Sequence, residues 1–265
     1  MSNTIDFDER TAKAVEAMYL TPDVVAQRAE VIKALAPKPG EHLLDIGAGP
    51  GLLAYDLARL AGENGRVLGI DTSEPMVKMA RTRCAALPQA EFEVGDAVKL
   101  AGVEGAFDAA VSTQVYEYVA DMDGALKALH RVLRPGGRAL ILDTDWDSIV
   151  WHASDRRLMQ RVLTCWDDHL ADPHLPATLA VKLRRAGFTL MRMDVVPMVS
   201  LGYQPHSYAS GMMHGILGFV RANGERHGLS ADEIQAWYDD QLYLAERGEF
   251  FFSLNRYMFL AVKQV

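Results

Sequence analysis

Apolar positions along this chain follow two periods that alternate. Residues 21–35, "TPDVVAQRAEVIKAL", carry Val24, Val31 and Leu35 on one helical stripe flanked by Val25 and Ile32. Thr21 reads as the N-cap, Pro22 as the first helical residue and Asp23 as an acid on the positive end of the helix. Pro37, Pro39 and Gly40 end it. The pattern then switches to short apolar runs separated by amphipathic stretches. "HLLDI" predicts a strand, "GLLAYDLARLA" a helix stopped by Gly62, Asn64 and Gly65, and "RVLGID" a strand. "SEPMVKMARTRCAAL" predicts a helix, "AEFEVGD" and "FDAAVS" strands, "DMDGALKALHRVL" a helix closed by Pro135, Gly136 and Gly137, and "RALILDT" a strand. Strands alternating with helices of this length predict a doubly wound, mostly parallel sheet.

Beyond Asp147 the rhythm loosens. "SDRRLMQRVLTCWDDHL" reads as a helix with Leu158, Val162 and Trp166 on one face, and "PATLAVKLRRAG" as a second helix. A strand near "TLMRMDVVPMV" follows, then two helices, "HSYASGMMHGILGFVRA" and "SADEIQAWYDDQLYLAERG", and a final strand "RYMFLAV". The expected organisation is an N-terminal helical cap (1–40), an α/β core (41–198), a helical insertion acting as a lid over the acceptor (199–249) and a last strand returning to the sheet (250–265), seven strands in all. No internal repeat or low-complexity tract interrupts this plan.

Charge and composition narrow the function. The 265 residues carry a formal net charge of −8, which opposes a nucleic-acid partner because such proteins need a basic footprint. Two cysteines, Cys84 and Cys165, form no metal-ligand or disulfide pattern, and read as ordinary thiols in a reducing cytoplasm. The opening "MSNTIDFDER" is too polar for a signal peptide, and no apolar run approaches the ~18 residues of a membrane span. A cytoplasmic protein without membrane insertion is expected.

The chemistry is concentrated in "LLDIGAGPG", residues 43–51. A P-loop requires G-x-x-x-x-G-K-[ST], and no such Lys follows. The dinucleotide fingerprint G-x-G-x-x-G would place its third glycine at Leu52. The remaining pattern, Asp45-Ile-Gly47-Ala48-Gly49-Pro-Gly51, resembles the first motif of class I S-adenosylmethionine (SAM)-dependent methyltransferases. Asp71, ending the second strand, is placed to accept from both ribose hydroxyls. "DTSEPMVKMA" is similar to the D-x-S-x-x-M that follows it in that family, which implies that Thr72 and Met76 flank the adenine. "EVGDA" resembles the third motif, implying that Asp96 accepts from the adenine amino group with Ala97 alongside the ring. The stretch from Phe107 to Ile141 resembles the ubiquinone/menaquinone-methyltransferase branch, implying that Ser112, Thr113 and Gln114 lie near the sulfonium. The resemblance covers roughly residues 15–145 and implies a Rossmann-like fold, S-adenosylmethionine as methyl donor (S-adenosylhomocysteine, SAH, as product), and no metal. The plain alternatives are a tight turn at Gly47 and Gly49 and a turn or cap at Asp96.

Arg28 sits in the middle of the apolar stripe of its helix, four residues after Val24, where a guanidinium needs a partner. It is either an internal ion pair or a clamp for the carboxylate of the donor's methionine, with Tyr19 packing on the same moiety. Methyl transfer needs in-line alignment, exclusion of water and, for some acceptors, a base. The stretch "DTDWDSIVWHASD" after the fifth strand offers Asp143, Asp145, Trp146, Trp151 and His152. His152 is the first candidate base and His214 the second, against the alternative of structural or surface histidines. Tyr203, Tyr208, Met212 and Met213 are candidates to line an apolar acceptor pocket. The expected activity is methyl transfer to oxygen, nitrogen or carbon of a small aromatic or apolar molecule. A non-catalytic SAM-binding sensor or scaffold is the alternative, and a homodimer is left open.

Overall fold

The computed structural model describes residues 9–100 and 104–264; the polar opening segment, residues 1–8, lies outside them. Two helices, α1 (Glu9–Tyr19) and α2 (Pro22–Leu35), precede the sheet. Strands β1 (His42–Ile46), β2 (Arg66–Asp71), β3 (Ala90–Val94) and β4 (Phe107–Thr113) alternate with α3 (Leu52–Ala61), α4 (Glu74–Arg83) and α5 (Met122–Val132). β5 (Leu133–Trp151) is followed by α6 (Arg156–Asp167), α7 (Leu175–Arg185) and β6 (Phe188–Leu201). Helices α8 (Tyr208–Asn223) and α9 (Ala231–Glu246) are inserted before β7 (Phe251–Lys263). The order across the sheet is β3-β2-β1-β4-β5-β7-β6, with β1 to β5 parallel and β7 antiparallel to both its neighbours. The predicted seven-stranded Rossmann-like sheet, its helical N-terminal region and the helical insertion before the last strand are all present.

Local chemistry explains the start of each element. The Ser73 hydroxyl accepts from the Met76 N–H, Asp121 caps α5 through Gly124, and Ser230 with Glu233 forms a reciprocal capping box on α9. Strands β1, β2 and β4 are buried on both faces, which is why they read as unbroken apolar runs. One core lies under α5 and α7, with Leu129, Leu179, Leu183 and Phe188; the other lies under α2 and α3, with Val31, Leu35, Leu57 and Leu142.

The strand predicted to stop at Thr144 instead runs on to Trp151. It leaves β4 after the Thr113–Leu142 pair but stays on β7 from Arg138 to Trp151, across a bulge between Asp145 and Val150. β6 follows β7 as far as Leu201–Phe251. The result is a three-stranded antiparallel extension above the parallel sheet. Helices α6, α8 and α9 cover one face of it and enclose a third core rich in aromatic residues, including Trp146, Trp151, Trp166, Trp237, Phe250 and Phe252. Polar residues in "DTDWDSIVW" hid this strand, because the bulge breaks the alternation that marks one.

Candidate functional site

A cavity of about 470 Å³ opens at the carboxyl ends of β1, β2 and β4, under α1 and α2. Its size suits a nucleoside-sized ligand, and its position is where open α/β sheets bind ligands. Thirteen residues that the sequence assigns to the cofactor line it: Tyr19, Arg28, Asp45, Gly47, Ala48, Gly49, Asp71, Thr72, Met76, Asp96, Ala97, Thr113 and Gln114. Ser112, also expected near the sulfonium, is buried in β4 and does not line it.

The glycine loop is built by conformation and contact together. Gly47 and Gly49 have φ of +70° and +53°, where a side chain is strained. A Cβ on Gly47 would stand 2.1 Å from Val115 Cγ2, so the loop packs directly on the segment after β4. A Cβ on Gly49 would meet only the Tyr19 ring, at 3.8 Å, across the cavity. Asp71 holds the loop: its Oδ2 accepts the Gly49 N–H at 2.8 Å and its Oδ1 the Ser73 N–H at 2.9 Å. Burial raises the Asp71 pKa, and these backbone donors oppose the rise. Asp45, fully buried, is pushed up to about 7 by burial and then by the Asp71 charge, and its Oδ2 has no partner. Asp96 caps the turn after β3 through Val98 N–H while lining the cavity, so the capping role and a ligand-facing role coexist.

These features fit an adenosine bearing an amino-acid tail. Glycines leave the backbone open to close approach, Asp71 retains lone pairs for ribose hydroxyls, and a buried, unpartnered carboxyl oxygen stands beside the loop. Gln114 (φ +57°) carries the opposite wall in a left-handed conformation that costs a non-glycine residue energy, and donates its N–H to Leu142 O at 2.7 Å.

Arg28 has found an internal partner. Its Nε donates to Asp56 at 3.0 Å and its Nη1 reaches Tyr19 O at 3.5 Å, yet the side chain still lines the cavity. The ion-pair alternative is therefore realised here, beside the cavity rather than away from it.

The two histidines fall elsewhere. His152 is exposed just beyond the end of β5, its N–H on Phe251 O and its carbonyl accepting from Gln241. His214 is exposed on α8, its ring between Ser210 O and the Tyr238 hydroxyl. Neither lines the cavity, because β5 continues as a strand and carries His152 away from the ligand end. Tyr208, Met212 and Met213, expected in an acceptor pocket, are buried in the aromatic core, with Tyr203 packed against it. Among the described residues, Asp145, Asp147 and His174 bring possible metal-ligating atoms within 4.8 Å of one another, and none of the three lines the cavity.

What the sequence reading missed lies directly behind the cavity wall. Gln27 and Tyr118 line the cavity, and behind them sit Glu117, Asp143 and Arg256, all fully buried. Arg256 Nη1 donates to Gln27 Oε1, and its guanidinium lies 4.7 Å from the Tyr208 ring centroid. Glu117 Oε2 accepts from Trp146 Nε1 at 3.2 Å and the Thr144 N–H at 3.3 Å; Asp143 Oδ1 accepts the Val115 N–H at 3.0 Å. Among the described residues, Glu117 Oε1, Asp143 Oδ2, and Arg256 Nε and Nη2 have no hydrogen-bond partner. A signal existed: Glu117 and Arg256 stand alone as charges within the apolar runs "VYEYV" and "RYMFLAV".

Comparison with known proteins completes the picture. Residues 44–141 match the methyltransferase domain family. The chain is 39% identical over 115 residues to a 2-phytyl-1,4-naphtoquinone methyltransferase of Synechococcus elongatus, covering 42% of this chain and 49% of that one. It is 33% identical over 125 residues to a demethylmenaquinone methyltransferase of Lysinibacillus sphaericus, covering 47% and 53%. The chain thus spans about half the length of these curated relatives. In fold, a SAM-dependent methyltransferase from Aquifex aeolicus superposes with a TM-score of 0.55 at 16% identity, covering 95% of this chain and 99% of that one. Phosphoethanolamine N-methyltransferase 2 of Haemonchus contortus, solved with S-adenosyl-L-methionine, gives 0.63 at 20% identity, covering 98% of this chain and 58% of that one. The methyltransferase-family match ends before β6 and the inserted helices α8 and α9 begin.

Proposed function

We propose that the protein transfers the methyl group of S-adenosylmethionine to oxygen, nitrogen or carbon of a small aromatic or apolar molecule. The observation that carries this is the cavity: motifs scattered from Tyr19 to Gln114 line a single volume, and the methyltransferase-family match spans its floor. The quinone methyltransferases among the relatives favour an aromatic acceptor. The bound donor supplies a methyl carbon already activated by its sulfonium. Asp71 holds the ribose hydroxyls, Asp96 the adenine amino group, and Thr72, Met76 and Ala97 the ring. Arg28, exchanging Asp56 for the methionine carboxylate, and Tyr19 close the tail. The wall formed by Thr113, Gln114 and Tyr118 excludes water and aligns the acceptor with the methyl carbon. No role is proposed for His152 or His214, and no metal is required. No described helix is long and apolar enough to cross a membrane, which accords with action on a small molecule without membrane insertion, in the cytoplasm.

The test is incubation with methyl-labelled S-adenosylmethionine and a panel of phenols, quinols and aromatic amines. Label transferred to at least one acceptor supports the reading. Stoichiometric cofactor binding with no transfer to any of them supports the non-catalytic sensor instead.

A further inference from the structure

Glu117 and Asp143 are a buried carboxyl pair from different elements, one on the turn after β4 and one in β5, brought against the back of the cavity wall. The contact is close: Val115 lines the cavity, and its N–H donates through the wall to Asp143 at 3.0 Å. Each carboxyl keeps one buried oxygen without a partner, and both lie within electrostatic reach of Arg256 on β7. Titratable neighbours include the tyrosines Tyr116 and Tyr118 on the same turn as Glu117, Tyr19 of α1 and Tyr208 of α8. Two carboxylates and one guanidinium, taken out of water together, cannot all be charged without an excess negative charge. One proton on the pair restores neutrality.

We infer that Glu117 and Asp143 form a proton-holding pair whose state is set by the charge of the cofactor beyond the wall, making it the proton sink of methyl transfer. The inference rests on the S-adenosylmethionine reading of the cavity. With the cavity empty, Arg256 balances a pair that retains one proton. With a sulfonium on the far side, the pair gives up that proton to solvent, and the second carboxylate balances the added positive charge. As the bond from acceptor to methyl carbon forms, the carbon–sulfur bond breaks and its electron pair stays on sulfur. The acceptor's own proton passes to the pair by way of the Tyr118 hydroxyl, the cavity-lining group adjoining Glu117. The site keeps the same net charge throughout: the cation disappears at the moment the proton returns. Burial supports this placement, since it pushes Glu117 up to about 7 and Asp143 well above the usual carboxylate range. The device suits acceptors that lose a proton on methylation, such as hydroxyls, amines or acidic carbons. Glu117 and Asp143 act through the wall and are positioning residues.

The test counts protons by titration calorimetry at pH 7 in buffers of different ionisation enthalpy, using S-adenosylmethionine and S-adenosylhomocysteine. The two ligands differ at the sulfur by one methyl and one positive charge. The wild type should release about one proton more for the sulfonium ligand than for the thioether. Glu117→Gln and Asp143→Asn should each abolish the difference while S-adenosylhomocysteine still binds, and Asp167→Asn, which removes a carboxyl of raised pKa outside the cavity lining, should keep it. An equal proton count for the two ligands in the wild type, or a difference that survives Glu117→Gln, overturns the inference. Should Asp143→Asn fail to fold, Glu117→Gln decides alone. Failure of either ligand to bind the wild type overturns the methyltransferase reading itself, a result distinct from equal proton counts.

Discussion

At the carboxyl ends of β1 and β2, the half-buried carboxylate of Asp71 accepts two backbone N–H groups of the segments it anchors. At the upper ends of β5 and β7, Asp143, Glu117 and Arg256 are fully buried, and each leaves polar atoms unpaired among the described residues. The first region is a cradle of backbone geometry in which Asp71 is paired, with the Asp45 Oδ2 left as an orphan. The second is held by aromatic packing around polar groups whose balance depends on what enters the cavity. An orphaned buried polar atom costs about 1–3 kcal/mol, so the second region, with four such atoms on Glu117, Asp143 and Arg256, bears the larger stability cost.

The contrast can be broken at either end. Trp237 is fully buried in the aromatic core, against the Trp151 ring at 6.1 Å. Trp237→Ala should cost about 3–5 kcal/mol in denaturant unfolding. Cofactor affinity of the folded fraction should stay within about twofold if the regions are energetically separate. A parallel loss of affinity would merge them. Gly47→Val acts first on the cradle: a side chain at φ +70° and 2.1 Å from Val115 should lower S-adenosylmethionine affinity by more than about 100-fold, ~2.7 kcal/mol. The near-ultraviolet circular dichroism of the tryptophans should not change. Asp71→Asn keeps an acceptor but loses charge, and an affinity loss of roughly tenfold by calorimetry is expected.

The smallest effect sharpens the comparison through pH. Glu117 has its folded pKa raised from 4.5 to about 7, so the folded state binds more protons than the unfolded state between those values. Its contribution is full below pH 4.5 and is lost as pH rises to about 7. Glu117→Gln removes that dependence. Relative to wild type, the variant should therefore gain on the order of 1 kcal/mol between pH 5 and pH 8. A gap that is flat across this window would mean that burial does not hold the Glu117 proton.

The same two regions differ in how far the sequence discloses them. The cradle is legible because its chemistry is local: glycines at fixed spacing and acids at the ends of β2 and β3; the expected Thr21 cap is not made, since its hydroxyl donates back to Met18 O at 2.7 Å. Tyr19 and Arg28 were placed at the cavity from one helix face and a family resemblance, although the Arg28–Asp56 pair needed three dimensions to see. The second region depends on pairs far apart in the chain. Arg256 meets Gln27 across 229 residues, and the strand through Trp151 exists because β7 pairs with it beyond a bulge. No local pattern encodes such contacts, so the methionines and tyrosines of α8 read equally well as pocket lining and as core. Histidines are the candidate bases by type, because their ordinary pKa lies near neutrality. Burial brings Glu117 to the same range from a residue type whose ordinary value is far lower.

The most direct measurement is calorimetric titration of the wild-type chain with S-adenosylmethionine, run beside NAD. One equivalent of S-adenosylmethionine binding at micromolar concentration or tighter, abolished by Gly47→Val, with no heat from NAD, is the predicted result. A folded wild-type chain that binds NAD, or that gives no heat with S-adenosylmethionine, would contradict the assignment of the cavity.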